Sequence, residues 1–199
     1  NILKPKYILT FTIKPNFYLS LLSFLINIKI ITNISGLGSL FLSKKFYFKI
    51  LYKFYIHIIT SRSYHIFFQN DYDRIYFSKR KKNINNYSLI PGSGIDLKEY
   101  IYKKIPIDHT YFLFVGRLIK DKGVFELAKA FSVISNKVRN MALWFVGPDE
   151  ENIRDDIESI LLGLKNSIVF QPYTTSPEDY MTASDIFCLP SYREGFGST

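Results

Sequence analysis

Cysteine and tryptophan are nearly absent from this sequence, with one residue of each in 199. The single cysteine, Cys188, allows no disulfide within the chain, and its place in the apolar run 185–189 favours a small buried side chain in a reducing compartment. Long apolar runs are also missing. The longest, residues 18–31, is interrupted by Asn27 and Lys29 and is shorter than the ~20 residues that a bilayer-spanning helix needs. The sequence therefore predicts neither a disulfide framework nor a membrane span.

Acidic residues are scarce in the first half of the chain. Residues 1–104 contain 17 Lys and Arg against 4 Asp and Glu, a net charge of +13, whereas residues 105–199 contain 9 against 13, a net charge of −4. Opposite charges favour two domains, 1–104 and 105–199, with different partners. On charge alone the basic half fits an anionic membrane, a phosphorylated substrate or nucleic acid equally well, or reflects biased codon usage. No nucleic-acid-binding motif accompanies the charge.

Short apolar runs alternate with helical patterns through both halves. The predicted strands are residues 7–11, 29–34, 65–68, 87–90, 111–115, 142–146, 168–170 and 185–189. The predicted helices are residues 17–26, 46–59, 124–134, 153–162 and 177–183, with another starting after Asn70. This alternation predicts an α/β fold with two Rossmann-like, doubly wound parallel sheets. The turn 91–94 and the polar stretch 96–104 mark the predicted boundary between them.

Two segments of the first half have ambiguous patterns. Residues 12–16 form a polar turn in this prediction, because Pro15 blocks a strand. Residues 46–59 carry apolar side chains at helical spacing, and four lysines lie on or beside the opposite face: Lys44, Lys45, Lys49 and Lys53. Such a basic amphipathic helix suits an anionic leaflet, and it suits equally a solvated helix whose apolar side packs in a core.

The stretch 111–123 predicts a phosphate-binding loop. A buried strand ends at Gly116, and Arg117 and Lys122 follow before Gly123 opens a helical pattern. Ligands collect at the carboxyl ends of parallel strands, where Arg offers a planar fork and Lys a point charge for phosphate oxygens. We call residues 116–123 the basic loop. By themselves, the two cations also fit a solvent-exposed strand end.

A second motif follows the last predicted strand and so belongs at the same sheet edge. We call residues 191–197 the glycine motif, which contains Glu194 between Arg193 and the run Gly195, Phe196, Gly197. Glycines there let the backbone approach a ligand, and N–H groups at a helix start hold phosphate. Glu194 is placed to accept hydrogen bonds from sugar hydroxyls.

These motifs together resemble a known family. The pattern FVGRL-x3-KGV-x-EL-x2-AF at 114–131, FVG at 145–147 and DIFCLPSYREGFG at 185–197 is similar to the donor half of family 4 glycosyltransferases, which have the GT-B fold. Earlier, TIKPN at 12–16, NISGLG at 33–38, FFQN at 67–70 and PGSGID at 91–96 resemble the acceptor half of the subgroup that elongates lipid-linked bacterial surface polysaccharides.

The resemblance implies sugar transfer from a nucleotide-diphosphate donor, usually with retention and without an essential metal or other cofactor. The expected donor is a UDP-sugar, and a GDP-sugar is the alternative. It implies that Arg117 and Lys122 bind the donor diphosphate and that Glu194 contacts the donor sugar. Gly116, Gly195, Phe196 and Gly197 would add backbone contacts. The implied partners are a polyprenyl-diphosphate-linked acceptor and an anionic membrane surface, at the cytoplasmic face of the plasma membrane.

The acceptor side is expected at the strand ends of the first half. There Lys14 would meet an acceptor phosphate, although Lys14 to Asn16 fits a turn before a helix equally well. The full set of acceptor-side candidates is Thr12, Lys14, Asn16, Asn33, Gly36 and Gly38.

Both domains are expected to be incomplete. The second glutamate of the family's E-x7-E motif would fall beyond Thr199, and the family's first strands would precede Asn1. A truncated, inactive remnant that only binds membrane or nucleotide is therefore the alternative to a working enzyme.

Overall fold

The computed structural model describes residues 4–37, 46–79, 86–92, 94–101, 109–164 and 167–194. The chain forms two compact units, the first reaching Gly94 and the second comprising Ile95–Arg193. Each unit has one four-stranded sheet in which every described strand pair is parallel. This confirms the predicted α/β fold class. The predicted domain limits, 1–104 and 105–199, stay a prediction.

The sheet of the first unit has the order β1-β2-β3-β4. Its strands are β1 (Tyr7–Phe11), β2 (Lys29–Ile34), β3 (Ser63–Phe68) and β4 (Tyr87–Leu89). The helices between them are α1 (Ile13–Leu22), α2 (Phe46–Arg62) and α3 (Asp71–Ser78). Strands with this spacing and crossover helices pair in parallel, so their carboxyl ends share one edge.

The predicted turn at residues 12–16 is wrong, because α1 begins at Ile13 and ends at Leu22 instead of covering 17–26. Proline is tolerated in the first turn of a helix, where its missing N–H would have no intrahelical partner. Pro15 is the third helical residue, and the N–H of Asn16 closes the first turn on the carbonyl of Thr12 at 3.2 Å.

The predicted cap of α3 is confirmed. The side chain of Asn70 accepts a hydrogen bond from the backbone N–H of Asp73 at 2.8 Å, and its amide donates to the Asp73 carboxylate at 3.0 Å. Asp73 is fully buried. A cap of this kind stabilises a helix by about 1 kcal/mol.

The sheet of the second unit has the order β7-β6-β5-β8. Its strands are β5 (Thr110–Val115), β6 (Met141–Val146), β7 (Ile168–Gln171) and β8 (Ile186–Phe187). Its helices are α4 (Val124–Ser135), α5 (Arg154–Ile160) and α6 (Pro177–Ala183). Helix α6 has the predicted bounds. Helix α5 is shorter than the predicted 153–162, and β8 is shorter than the predicted 185–189.

The core of the second unit lies between its sheet and α4 and α5. Phe114 and Phe145 from the central strands are fully buried, and Phe131 of α4 and Ile157 of α5 pack in the same cluster. Burial of such side chains contributes roughly 1.5–3 kcal/mol each. Cys188 is half-buried against this cluster, where desolvation raises the pKa of its thiol.

The core of the first unit packs α2 and α3 on the sheet. It contains Ile34 and Phe68 of the sheet, Tyr55 and Ile59 of α2, and Phe77 of α3. Across the described ranges, no helix combines the length and apolar character that crossing a bilayer requires.

Candidate functional site

The basic loop leaves the carboxyl end of β5. The N–H of Gly116 donates to the carbonyl of Val146 at 2.8 Å, so the loop starts in register with the neighbouring strand β6. Arg117 is exposed, and Lys120–Lys122 form a 3₁₀ turn that the sequence did not predict. Gly123 then adopts a left-handed conformation with φ of 69° and starts α4. An L-residue with a side chain is strained in that conformation.

A second loop follows β6 and lies directly against the basic loop. We call residues 147–152 the acidic loop, with the sequence GPDEEN. Leu118 donates its N–H to the carbonyl of Pro148 at 2.8 Å and forms an isolated parallel bridge with Asp149. A Cβ on Gly147 would lie 2.0 Å from the carbonyl oxygen of Gly116, so the two backbones meet where no side chain fits.

The three acids of this loop have different partners. Glu150 accepts a hydrogen bond from Nη1 of Arg117 at 3.0 Å, and Glu151 accepts one from the backbone N–H of Lys120 at 3.0 Å. Asp149 accepts the N–H groups of Ile153 and Arg154, both at 3.0 Å, at the start of α5. The acidic loop therefore shapes the basic loop and supplies a counter-ion to its arginine.

The start of the glycine motif packs on the opposite side of the basic loop. The N–H of Tyr192 donates to the carbonyl of Asp121 at 3.1 Å. A Cβ on Gly123 would lie 2.2 Å from the carbonyl oxygen of Pro190. The three loops after β5, β6 and β8 thus meet at the carboxyl edge of the second sheet.

A side-chain bond reinforces this contact. The hydroxyl of Tyr192 donates to Oε1 of Glu126, in the first turn of α4, at 2.7 Å. This bond is the main reason that the pKa of Glu126 is lowered, and it raises the pKa of Tyr192. Because both side chains are exposed, the bond orients the segment rather than contributing much stability.

The remaining predicted donor-side residues are only partly described. Lys122 lies in the 3₁₀ turn and is half-buried. Arg193 and Glu194 are also half-buried, and Glu194 is grouped with the first unit. Gly195, Phe196 and Gly197 lie outside the described residues. The role of each stays a prediction.

Most of the predicted acceptor-side residues come together at the carboxyl edge of the first sheet. Phe11 of β1 is level with Asn33 of β2, and Nδ2 of Asn16 donates to the carbonyl of Asn33 at 2.9 Å. Asn16 and Asn33 are buried, so their hydrogen bond ties α1 to β2. Thr12 is exposed and has φ of 67° and ψ of 166°, a region that is essentially restricted to glycine.

The structure describes two of the three other acceptor-side candidates. Lys14 lies exposed in the first turn of α1, and Gly36 is half-buried just beyond β2. Gly38 lies outside the described residues. The backbone of Thr12 is strained, so the surrounding structure must hold this residue in place.

An apolar groove of about 240 Å³ lies between α1 and α2 in the first unit. Phe17 and Tyr55 pack on each other in its wall, and burial raises the pKa of the Tyr55 hydroxyl. The residues that line the groove are Ile13, Lys14, Phe17, Tyr18, Leu51, Tyr52, Phe54 and Tyr55.

Sequence reasoning missed the acidic loop. Its three consecutive acids follow a strand at the same sheet edge as the basic loop, so the rule that selected Arg117 would also have selected Glu150. The bond between Tyr192 and Glu126 had no sequence signal, because these residues are 66 positions apart. Within the described ranges, no group of three or more His, Cys, Asp or Glu side chains is arranged to hold a metal ion.

Comparison with known proteins finds one matching family model and several curated relatives. Residues 98–199 match the family model described as Glycosyl transferases group 1. The capsular polysaccharide biosynthesis glycosyltransferase CapM of Staphylococcus aureus is 33% identical over 98 residues, which cover 49% of this chain and 26% of CapM. The aligned region thus spans about a quarter of that relative.

Solved structures match nearly the whole chain at low identity. The crystal structure of Anabaena Alr3699/HepE in complex with UDP and glucose has a TM-score of 0.75 at 15% identity, covering 95% of this chain and 54% of that one. WaaG, a glycosyltransferase involved in lipopolysaccharide biosynthesis, has a TM-score of 0.68 at 16% identity, covering 89% of this chain and 57% of that one.

The chain spans about half the length of these solved structures, and at this identity the likeness establishes the fold alone. That fold is the GT-B fold expected from the motifs. The family match extends over slightly more than half of the chain, from residue 98 to residue 199. The chain therefore belongs to the glycosyl transferases group 1 family.

Proposed function

We propose that this protein transfers a sugar from a nucleotide-diphosphate donor, a UDP-sugar, to a lipid-linked glycan acceptor in bacterial surface polysaccharide synthesis. The observation that carries the proposal is the meeting of the basic loop, the acidic loop and the start of the glycine motif at one sheet edge. The family match and the named role of CapM in capsular polysaccharide biosynthesis support it. HepE is a neighbour that binds UDP-glucose.

In this proposal Arg117 and Lys122 bind the diphosphate of the donor. Both follow the carboxyl end of a parallel strand, where α/β folds bind their ligands. Glu194 accepts hydrogen bonds from the donor sugar, and the backbone of Gly195, Phe196 and Gly197 contacts the donor as well. Charged donors aimed at phosphate form hydrogen bonds about twice as strong as neutral ones.

The reaction that we propose retains the anomeric configuration and uses no metal. The bond between the sugar carbon and the diphosphate oxygen breaks, and its electron pair leaves with the diphosphate. Arg117 and Lys122 offset the charge that develops there, in the position where other transferases place a divalent cation. The acceptor hydroxyl attacks from the same face, and its proton passes to the leaving phosphate oxygen.

We place the acceptor at the carboxyl edge of the first sheet. Among the members of the acceptor-side set that the structure describes, Thr12 and Lys14 are exposed and can contact a ligand directly. The ammonium of Lys14 suits a lipid diphosphate, and Lys14 is one of the residues that line the groove between α1 and α2. An apolar groove beside a cation fits an acceptor with a hydrocarbon chain and a phosphate.

The outer face of α1 and α2 suits contact with an anionic membrane. It exposes large apolar side chains next to Lys49 and Lys53, which are also exposed. Burying apolar side chains in the headgroup region and pairing lysines with anionic lipids both favour binding. The exposed apolar residues of the two helices are Tyr18, Leu21, Leu22, Phe46, Tyr47, Ile50, Leu51 and Phe54.

The test measures transfer and hydrolysis by the full-length protein with a panel of UDP- and GDP-sugars. Arg117→Ala and Lys122→Ala are each expected to lower the rate by about 100-fold or more, as loss of a charge-stabilising donor does elsewhere. Lys137→Ala is the matched control, because this exposed lysine follows the far end of α4 and should leave the rate unchanged. Unchanged rates in both loop variants would refute the assignment of the diphosphate site.

A further inference from the structure

The Arg117 guanidinium has a carboxylate partner before any phosphate arrives. Nη1 of Arg117 lies 3.0 Å from Oε2 of Glu150, and both side chains are about half exposed. One guanidinium has five N–H donors, and this contact uses one of them. Glu150 therefore holds the arginine in place while leaving most of its hydrogen-bonding capacity for another anion.

Backbone geometry makes this pairing a built feature of the fold. The N–H of Leu118, the residue after Arg117, bonds to Pro148, two residues before Glu150. The bridge between Leu118 and Asp149 fixes the same register. Contact between Gly147 and Gly116 brings the loops to backbone distance, so the side chains at 117 and 150 face each other as a consequence of the main chain.

We propose that Glu150 is a counter-ion that pairs with Arg117 again as the diphosphate product leaves. Its charge lowers the affinity of the site for the diphosphate product more than the affinity for the nucleotide-sugar donor. This inference rests on the proposed function, in which Arg117 binds the diphosphate. When the sugar is transferred, the β-phosphate loses its ester to the sugar and becomes a terminal phosphate with a second ionisation near pH 6, so the diphosphate product carries more negative charge than the donor at neutral pH. A fixed carboxylate beside Arg117 repels the product more strongly than the donor.

The charge balance of the site supports this role. The basic loop contains the cations Arg117, Lys120 and Lys122 and one acid, Asp121, and Glu150 and Glu151 approach it from the acidic loop. Tight phosphate binding alone would not need the carboxylates of Glu150 and Glu151, because carboxylates repel phosphate. Their presence limits how tightly a highly charged product is held, which favours its release, a step that limits turnover in many enzymes.

Glu150→Gln keeps the shape of the side chain and removes its charge. By titration calorimetry with UDP and GDP, we expect the variant to bind nucleoside diphosphate about 2- to 5-fold more tightly, which is the range of an exposed ion pair. Binding of the corresponding nucleotide sugar should tighten less. The gain should shrink as salt rises, because the interaction is screened.

Glu151→Gln is the matched control, because Glu151 carries the same charge at the next residue and contacts the Lys120 N–H instead of Arg117. It should change the product-to-donor ratio less than Glu150→Gln does. In an Arg117→Ala background, Glu150→Gln should tighten diphosphate binding less than it does in the wild type, because only the direct repulsion remains to be removed. Wild-type or weaker diphosphate binding by Glu150→Gln alone would overturn the inference. Full diphosphate binding by Arg117→Ala would instead overturn the proposed function.

Discussion

Substitution of Gly123 by alanine should lower the stability of the second unit, and the size of the loss can be worked out from the structure. An alanine there must adopt φ of 69°, which costs roughly 1–2 kcal/mol for an L-residue. Its Cβ would also lie 2.2 Å from the carbonyl oxygen of Pro190, where ordinary contacts are 3.4 Å or longer. Pro190 would have to retreat by about 1 Å, and the neighbouring bond from Tyr192 to Asp121 would weaken, adding about 1–3 kcal/mol.

Gly163→Ala is the matched control, because it carries the backbone cost without the steric clash. Gly163 also has a positive φ, 89°, and a Cβ there would meet nothing within 4 Å. We therefore expect Gly123→Ala to lower the free energy of unfolding by about 2–5 kcal/mol and Gly163→Ala by about 1–2 kcal/mol. Urea unfolding followed by the fluorescence of Trp144, the single tryptophan, reports on the second unit directly.

Hydrogen exchange supplies a local measurement. The Tyr192 amide should lose protection in Gly123→Ala and keep it in Gly163→Ala, because only the first substitution displaces the segment that begins at Pro190. Equal losses of unfolding free energy in the two variants, with the Tyr192 amide equally protected, would refute the proposed packing of this segment on the basic loop.

Two further predictions concern charge and the membrane. Tyr192→Phe removes the hydrogen bond that contributes most to the lowered pKa of Glu126, so this pKa should rise toward the ordinary value of a glutamate. The stabilisation that the lowered pKa provides, which is present above the unfolded pKa and is lost as pH falls through the folded pKa, should become smaller. Carboxyl NMR titration measures this shift, and an unaltered Glu126 titration contradicts it. Leu51→Glu with Phe54→Glu should abolish co-sedimentation with phosphatidylglycerol vesicles, whereas Leu162→Glu, at an even more exposed leucine of the second unit, should not. Vesicle binding that survives the double substitution would exclude the α1–α2 face.

Strand positions were predictable because each buried strand is a short apolar run bounded by turn residues. β1 and β2 have the predicted bounds, and β5 and β6 differ by one residue. The parallel pairing followed from the helices between strands, since a crossover helix returns the chain in the same direction. The first residues of helices were harder to predict from the sequence than the strands. The sequence predicts a polar turn at Pro15, although the first turn of a helix accommodates proline without losing a hydrogen bond.

At the site, the chain positions of Arg117, Lys122 and the glycines were predictable because they follow strand ends, where parallel sheets collect ligands. Partners were not. Glu150 lies opposite Arg117 only because β5 and β6 are neighbours in register, and Tyr192 reaches Glu126 only because β8 pairs with β5. Such contacts join residues distant in sequence, and no local pattern encodes them.

The amino-acid sequence alone determined the alternation of strands and helices and the motifs of the glycosyltransferase family, because apolar periodicity and glycine positions are properties of short segments. The tertiary structure decided how the loops after β5, β6 and β8 meet, which carboxylate faces Arg117, and where backbone contact leaves no room for a side chain. The physical reason is that these outcomes depend on strand order and register, which arise only when the whole sheet packs on its helices.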